Sequence, residues 1–464
     1  MLVSFAGNLS MGLGFGFVSP YGEQIDEDLG MNANLNDLLV GDVSFGGLLG
    51  CIIAGKLADK IGRKRGLTVA FTFTTFGWLV VTFSMNTAMI FSGRIIHGIG
   101  EGMIQVITII YLSEYIKEKY RGGALSSTTI GCLLGMVVTY ICGVSIPWRV
   151  SAGIFTTMNL LSLLGSFIIQ ESPLWLSLNK SKEQREEEDV ETTKSVGLDA
   201  NQNQDSQHLK KDLSLTRIIS TSLAPFLLFL APITGCFSIA FFAISMVEKM
   251  HMGNPALVAI GVGLMRVVGA VCGGLFVQKF GRRISLIFSS ASTSVSLVLV
   301  SILLTLHTLP AAVYNYGMIT LLVLVMFCTS LGMAPVPWII LGEWPHVRDK
   351  VSSVFLSINW LSHVVFQGIV GTVGASLFYI SIFLASMLPG ILEPALGMAG
   401  MFAVFAAITG IMLGLAILLV PETSGKNYPE FIAEQTIKKT FSFWLPDLKK
   451  QSQTVKDIIR KKSY

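Results

Sequence analysis

Twelve times along its 464 residues the chain presents an apolar run near the ~20 residues that an α-helix needs to cross a bilayer. The runs centre near Gly12, Gly47, Phe76, Ile99, Leu134, Met158, Ile233, Met265, Val295, Val325, Val364 and Ala407. A chain that is 52% hydrophobic and 13% charged, with mean hydropathy +0.65, is not a soluble globular protein. Soluble chains carry roughly twice that charge fraction. The expected class is therefore an all-α integral membrane protein with the lipid bilayer as its solvent.

The turn between the second and third runs, Gly55-Lys-Leu-Ala-Asp59-Lys-Ile-Gly62-Arg63-Lys64-Arg65, gathers five cations around one acid. A short basic hairpin between two spans belongs in the cytoplasm. The same signature returns at Val277-Gln278-Lys279-Phe280-Gly281-Arg282-Arg283. Lysines and arginines crowd the loops after spans two, four, six, eight and ten and the C-terminal tail, whereas the opposite loops hold acids and essentially Lys249 alone. That asymmetry predicts cytoplasmic termini and an even number of spans. The first run follows Met1 with no basic n-region and no small-residue cleavage site, so it reads as a span and not a cleaved signal.

One long polar segment, 179–216, opens with Glu186-Glu187-Glu188-Asp189 and reads as a solvated linker. It separates a six-helix half at 1–178 from a second at 217–424, with a cytoplasmic tail at 425–464. Pairs of motifs repeat across it: Glu114 with Arg121 echoes Glu343 with Arg348, and Glu171-Ser-Pro echoes Pro421-Glu422-Thr. Two copies of a six-span unit are the arrangement of a transporter whose substrate site lies near the midplane.

The six cysteines lie inside apolar runs without metal-ligand or redox spacing and read as small buried hydrophobes. No phosphate loop, HExxH pair or nucleophile elbow is present. No enzyme activity, cofactor, metal or nucleic-acid partner is expected.

These motifs together resemble the sugar porter family of the major facilitator superfamily, nearly end to end. The resemblance is carried by Gly55…Gly62-Arg63-Lys64, Gly93-Arg94 with Gly98, Gly100 and Gly102, and Tyr111-Leu-Ser-Glu114 with Arg121-Gly122. Glu171-Ser-Pro173-Leu-Trp175, Gly281-Arg282-Arg283, Pro335-Val-Pro337-Trp338, Asn359-Trp360 and Pro421-Glu422-Thr423 continue it. Within the family the chain is most similar to insect facilitated trehalose transporters and animal facilitative glucose transporters. The resemblance implies twelve transmembrane helices in two six-helix halves. It also implies a cytoplasmic gate made by Asp59, Arg63, Arg94, Glu114, Arg121, Glu171, Arg282, Arg283, Glu343, Arg348 and Glu422. Guanidinium–carboxylate forks of this kind are bidentate and lose strength as each partner is displaced.

The substrate region departs from the family pattern. Span seven usually carries a Gln pair, Ser-Gly and an Asn; here Ala231-Pro232-Ile233-Thr234-Gly235-Cys236-Phe237 lacks both amides and the Asn. Thr129 stands where span five usually has Gln, and His363 where a sugar-binding Asn is common. With Trp338, Asn359, Trp360 and Arg266 these form the expected sugar site, each tryptophan offering an aromatic face and a polar edge. Arg266 lies mid-span in the eighth run, where a charge is costly. It either faces the substrate or pairs with Asp42 or Glu101. His97 and Glu101, four residues apart on one helix, can bond each other.

Proton-driven relatives typically carry an Asp in span one, and no acid occurs between Met1 and Pro20. The expected function is facilitated diffusion of a sugar, trehalose or a hexose, by alternating access, through a monomer in the plasma membrane. A same-fold carrier of another, anionic solute and a non-transporting sugar sensor are the alternatives.

Overall fold

The computed structural model describes residues 2–31, 33–116, 118–177, 179, 223–249, 254–306, 310–343 and 359–420, with backbone alone at 2, 33–37, 118–122, 125, 311–312, 342–343 and 359–370. Every regular element among them is helical. They are α1 (Leu2–Gly16), α2 (Val18–Leu29), α3 (Ala33–Ile61), α4 (Arg63–Thr82), α5 (Thr87–Tyr115), α6 (Glu118–Gly143) and α7 (Trp148–Ser166). Then come α8 (Leu223–Ile233), α9 (Cys236–Phe241), α10 (Ala243–Lys249), α11 (Pro255–Phe280), α12 (Arg282–Thr305), α13 (Ala311–Leu331), α14 (Pro335–Glu343) and α15 (Asn359–Leu418).

Some of the twelve runs are assembled from pieces. Span one is α1 and α2, interrupted at Phe17; span seven is α8, α9 and α10; span ten is α13 and α14. Conversely, α15 holds spans eleven and twelve, divided where Gly397 takes φ +69° after Pro389 and Pro394.

Helices α4 and α7 are rich in Thr and Ser, yet suit a bilayer because their hydroxyls bond back into the helix. Thr68, Thr72, Thr75 and Thr82 each donate to the carbonyl four residues earlier, as do Thr156, Thr157 and Ser162.

The chain divides into two compact units, Met1–Leu228 with Val365–Phe383, and Phe229–Val364 with Leu384–Tyr464. The first is organised around α5, which packs on both α3 and α4. At the α3 seam the backbones touch. Side chains at Gly46, Gly98 or Gly102 would run into the carbonyls of Ile95, Val43 and Gly47. Close approach through small residues is the usual basis of helix pairing without a hydrophobic drive. Residues 365–383 join this unit because the ring of the buried Tyr379 occupies the space a side chain at Gly47 would fill, and its hydroxyl reaches Met11 Sδ at 3.8 Å. The second unit closes over Leu297, Val300, Met318, Leu322, Met326, Phe402 and Phe405.

None of the six cysteines is in a disulfide. Four are buried as expected, but Cys142 is half-buried and Cys272 is exposed on α11. Cys272 sits on a face of α11 left exposed among the described residues, so its apolar surroundings in sequence do not amount to burial.

Candidate functional site

Between α3 and α4 stands a single residue, Gly62, at φ +94°, a conformation that costs glycine nothing and other residues much. A side chain there would also meet the Glu171 carboxylate. Glu171 Oε1 accepts from the backbone N–H groups of Arg63 (2.7 Å), Lys64 (3.1 Å) and Ser172 (3.0 Å). An anion thus occupies the positive end of α4, where free amides and the helix dipole favour it.

Arg63, 1% exposed, turns its fork onto Glu114 at the end of α5. Nε lies 3.0 Å from Oε2 and Nη2 lies 2.8 Å from Oε1. Its remaining nitrogen, Nη1, donates to the Ala58 carbonyl at 3.0 Å and sits 3.3 Å from Asp59 Oδ1. Trp175 Nε1 donates to the Asp59 carbonyl (3.1 Å) and Lys64 Nζ to the Phe167 carbonyl (2.7 Å). Asp59, Arg63, Glu114 and Glu171 thereby form one cluster that ties the ends of α3, α4, α5 and α7.

Arg94 is not part of that cluster. It lies twenty residues before Glu114 on the same helix, about 30 Å away at 1.5 Å per residue. Its Nε donates to Asp42 Oδ1 at 2.9 Å, Nη2 to the Leu39 carbonyl at 2.9 Å, and the guanidinium sits 5.6 Å from the Phe17 ring centre. The glycine seam is the reason. Gly46 and Gly98 draw α3 and α5 together so closely that the side chain at 42 reaches the one at 94.

In the second unit the glycine turn recurs in the same conformation. Gly281 has φ +90° and ψ 173°, against +94° and 166° at Gly62. It separates α11 from α12, whose first residue is Arg282, and Arg283 Nη2 donates to the Ile417 carbonyl at 2.7 Å. The side chains of Arg121 and Glu343, together with all of Arg348 and Glu422, lie outside the described residues.

Of the expected substrate residues, Arg266 and Trp338 are buried in the second unit, on α11 and α14. Thr129 is half-buried on α6 in the first unit. Asn359, Trp360 and His363 open α15, with side chains outside the described residues. The Arg266 guanidinium stands 5.0 Å from the centre of the Phe237 ring, a cation–π contact. Asp42 and Glu101, its candidate partners, are engaged in the first unit by Arg94 and His97.

Phe237 was not among the expected site residues. It is placed by a break in span seven: Gly235 takes φ +94°, Thr234 Oγ1 bonds the Ala231 carbonyl at 2.6 Å, and the chain restarts as α9. A side chain at 235 would enter the Phe405 ring. The signal in sequence was Pro232 and Gly235 within one apolar run. Span ten breaks similarly at residues 332–334, where Met333 N–H finds Ser289 Oγ at 3.0 Å. Such discontinuous spans, their freed backbone groups satisfied internally, mark the binding region of many transporters.

Known proteins bear on this arrangement. The sequence profile of the family described as "Sugar (and other) transporter" matches residues 2–433. The chain belongs to that family. Its relatives include the sugar transporter ERD6-like 6 of Arabidopsis thaliana, 26% identical over 93% of this chain and 88% of the relative. Also similar are the putative metabolite transport protein YwtG of Bacillus subtilis (30% identity; 87% of each chain) and the glucose transporter GlcP of Staphylococcus epidermidis (25%; 91% and 94%). Among solved structures, the proton:xylose symporter XylE bound to 6-bromo-6-deoxy-D-glucose superposes with TM-score 0.72 at 16% identity, over 93% of this chain and 97% of XylE. This sugar porter therefore has the all-α, twelve-helix major facilitator fold, and it is a membrane transporter, not an enzyme.

Proposed function

We propose that this sugar porter is a facilitative carrier of a neutral sugar, trehalose or a hexose, working by alternating access as a monomer in the plasma membrane with both termini cytoplasmic. The relatives named for sugar and glucose transport, together with the broken spans seven and ten, support the substrate class. One observation carries the facilitative reading: span one offers no acid from Leu2 to Pro20. The acids buried inside other spans, Asp42 and Glu101, lie against Arg94 and His97, and in this reading neither carries a proton across.

In this reading Trp338 and Trp360 stack on pyranose faces, while Thr129, Asn359, His363 and Arg266 hydrogen-bond hydroxyls. Asp59, Arg63, Glu114, Arg121 and Glu171, with Arg282, Arg283, Glu343, Arg348 and Glu422, gate the cytoplasmic side. Arg94 is left out, because Asp42 holds it far from Glu114. The test is uptake of labelled trehalose and glucose by liposomes holding the purified protein, with and without an imposed pH gradient. Saturable, downhill uptake indifferent to the gradient is expected. Background uptake of every sugar sinks the substrate class, and gradient-driven accumulation sinks facilitation.

Burial of Arg266, 4% exposed in mid-span, favours a second reading in which the solute is an organic anion. Insertion of such a charge costs roughly 2.5–3.5 kcal/mol, a cost that an anionic substrate would offset. Under the first reading, Arg266→Gln lowers sugar uptake by about tenfold, the worth of one charge-assisted hydrogen bond. Under the second, the variant loses an anion flux and keeps or gains sugar uptake.

A further inference from the structure

A buried polar cluster in the first unit stands apart from both sites. Glu101 and His97 on α5, Ser10 on α1 and Asn159 on α7 are each no more than 2% exposed. His97 Nε2 lies 3.1 Å from Glu101 Oε1. The imidazole is held there: the Trp78 ring lies against it, tilted, with ring centres 4.8 Å apart, and Gly14 leaves the space its Nε2 occupies. Ser10 Oγ lies 3.2 Å from Glu101 Oε1 and 2.6 Å from Asn159 Oδ1. Asn159 Nδ2 donates to the Phe155 carbonyl at 2.9 Å, which fixes the amide so that its oxygen faces Ser10.

Counting hydrogens decides the state of this cluster. A serine hydroxyl has one hydrogen, and two oxygens compete for it. The 2.6 Å contact assigns it to Asn159 Oδ1. Ser10 Oγ can then only accept from Glu101, and a carboxylate has nothing to donate. With a proton on Oε1 each of the three hydrogen bonds has a donor: Glu101 Oε1–H to Ser10 Oγ, Ser10 Oγ–H to Asn159 Oδ1, and Asn159 Nδ2–H to Phe155 O.

We propose that Glu101 and His97 form a proton-binding site inside the first unit, and that the proton on Glu101 orients a one-way hydrogen-bond chain joining α5 to α1 and α7. When the O–H bond breaks and the proton passes to water, the remaining carboxylate pulls the Ser10 hydrogen toward itself. Asn159 Oδ1 then loses its donor inside an apolar bundle, and α1 exchanges its bond to α7 for one to α5. The site regulates span one; it carries no proton across and is independent of which solute the protein moves.

The other charged or titratable groups facing this site are few. Arg94 on α5 is neutralised by Asp42 of α3, which also presents Cys51, bonded to the Gly102 carbonyl. Tyr379 comes from the 365–383 segment, and α6 presents Cys132. From α1, α4 and α7 come Ser10, Trp78 and Asn159, which do not titrate. Of the titratable groups named here, His97 is the one within 3.1 Å of the Glu101 carboxyl.

Infrared difference spectra of the full chain in liposomes, recorded as pH is stepped, test this without any substrate. The wild type is expected to show a carboxylic-acid carbonyl band that disappears as pH rises. Glu101→Gln should remove that band, whereas Asp42→Asn should leave it. Ser10→Ala, which retains Glu101, should keep the band but move it to higher frequency because the acid has lost its acceptor. The proposal is overturned if wild type has no titrating carboxylic-acid band, if the band survives Glu101→Gln, or if Ser10→Ala leaves its frequency unchanged.

Discussion

The two ends of α5 carry the same chemistry in opposite settings. At one end Arg94 is pinned by Asp42, two backbone carbonyls and the Phe17 ring, all within packed spans. At the other, Glu114 receives Arg63 where α3 hands over to α4, and the neighbouring Asp59 side chain is 38% exposed. The first pair is buried among packed spans, its side chains 2% and 4% exposed. The second fork is itself as buried, Arg63 and Glu114 being 1% and 2% exposed, but it stands beside the half-open Asp59 at the turn between two helices. An arginine–carboxylate fork is thus a strut among packed spans in one place and, in the proposed reading, a clasp beside a turn in the other.

Substitutions can break or sharpen this contrast. Asp42→Ala leaves the Arg94 charge buried without its acid and is expected to have the largest effect, about 3–5 kcal/mol of stability. Thermal unfolding of the purified protein measures it, and wild-type stability would erase the distinction. Arg63→Ala should cost less, about 1–3 kcal/mol, the scale of hydrogen bonds to charged groups. Its larger signature should be an altered uptake rate, read in the same liposomes. Glu171→Gln keeps an oxygen acceptor for the Arg63 and Lys64 amides but removes the charge at the helix end. A loss of about 0.3–1 kcal/mol is expected. If Arg63→Ala proves as destabilising as Asp42→Ala, the clasp is a second strut.

Much of this was legible in the chain. Apolar length gave the spans, and the glycine turns at 62 and 281, read as copies, share one backbone conformation. The four-residue spacing of His97 and Glu101 places them together on any helix. Arg94 was misplaced because Gly93-Arg94 reads as one more basic motif, and only its position along α5 shows that it cannot reach Glu114. Ser10 and Asn159 left no signal at all, since one hydroxyl and one amide in apolar runs look like ordinary membrane-helix residues. Phe237 was hidden because the effect of Gly235 depends on Phe405, far along the chain.

From its sequence alone this chain was bound to be a bundle of membrane helices with basic turns and a duplicated plan, because bilayer thickness and charge desolvation act on each segment separately. Which buried charge meets which, where the helices break and which hydroxyl holds which hydrogen were decided only when glycine seams set the distances between segments remote in the chain. Those choices depend on approach to within a hydrogen bond, and no local pattern encodes that.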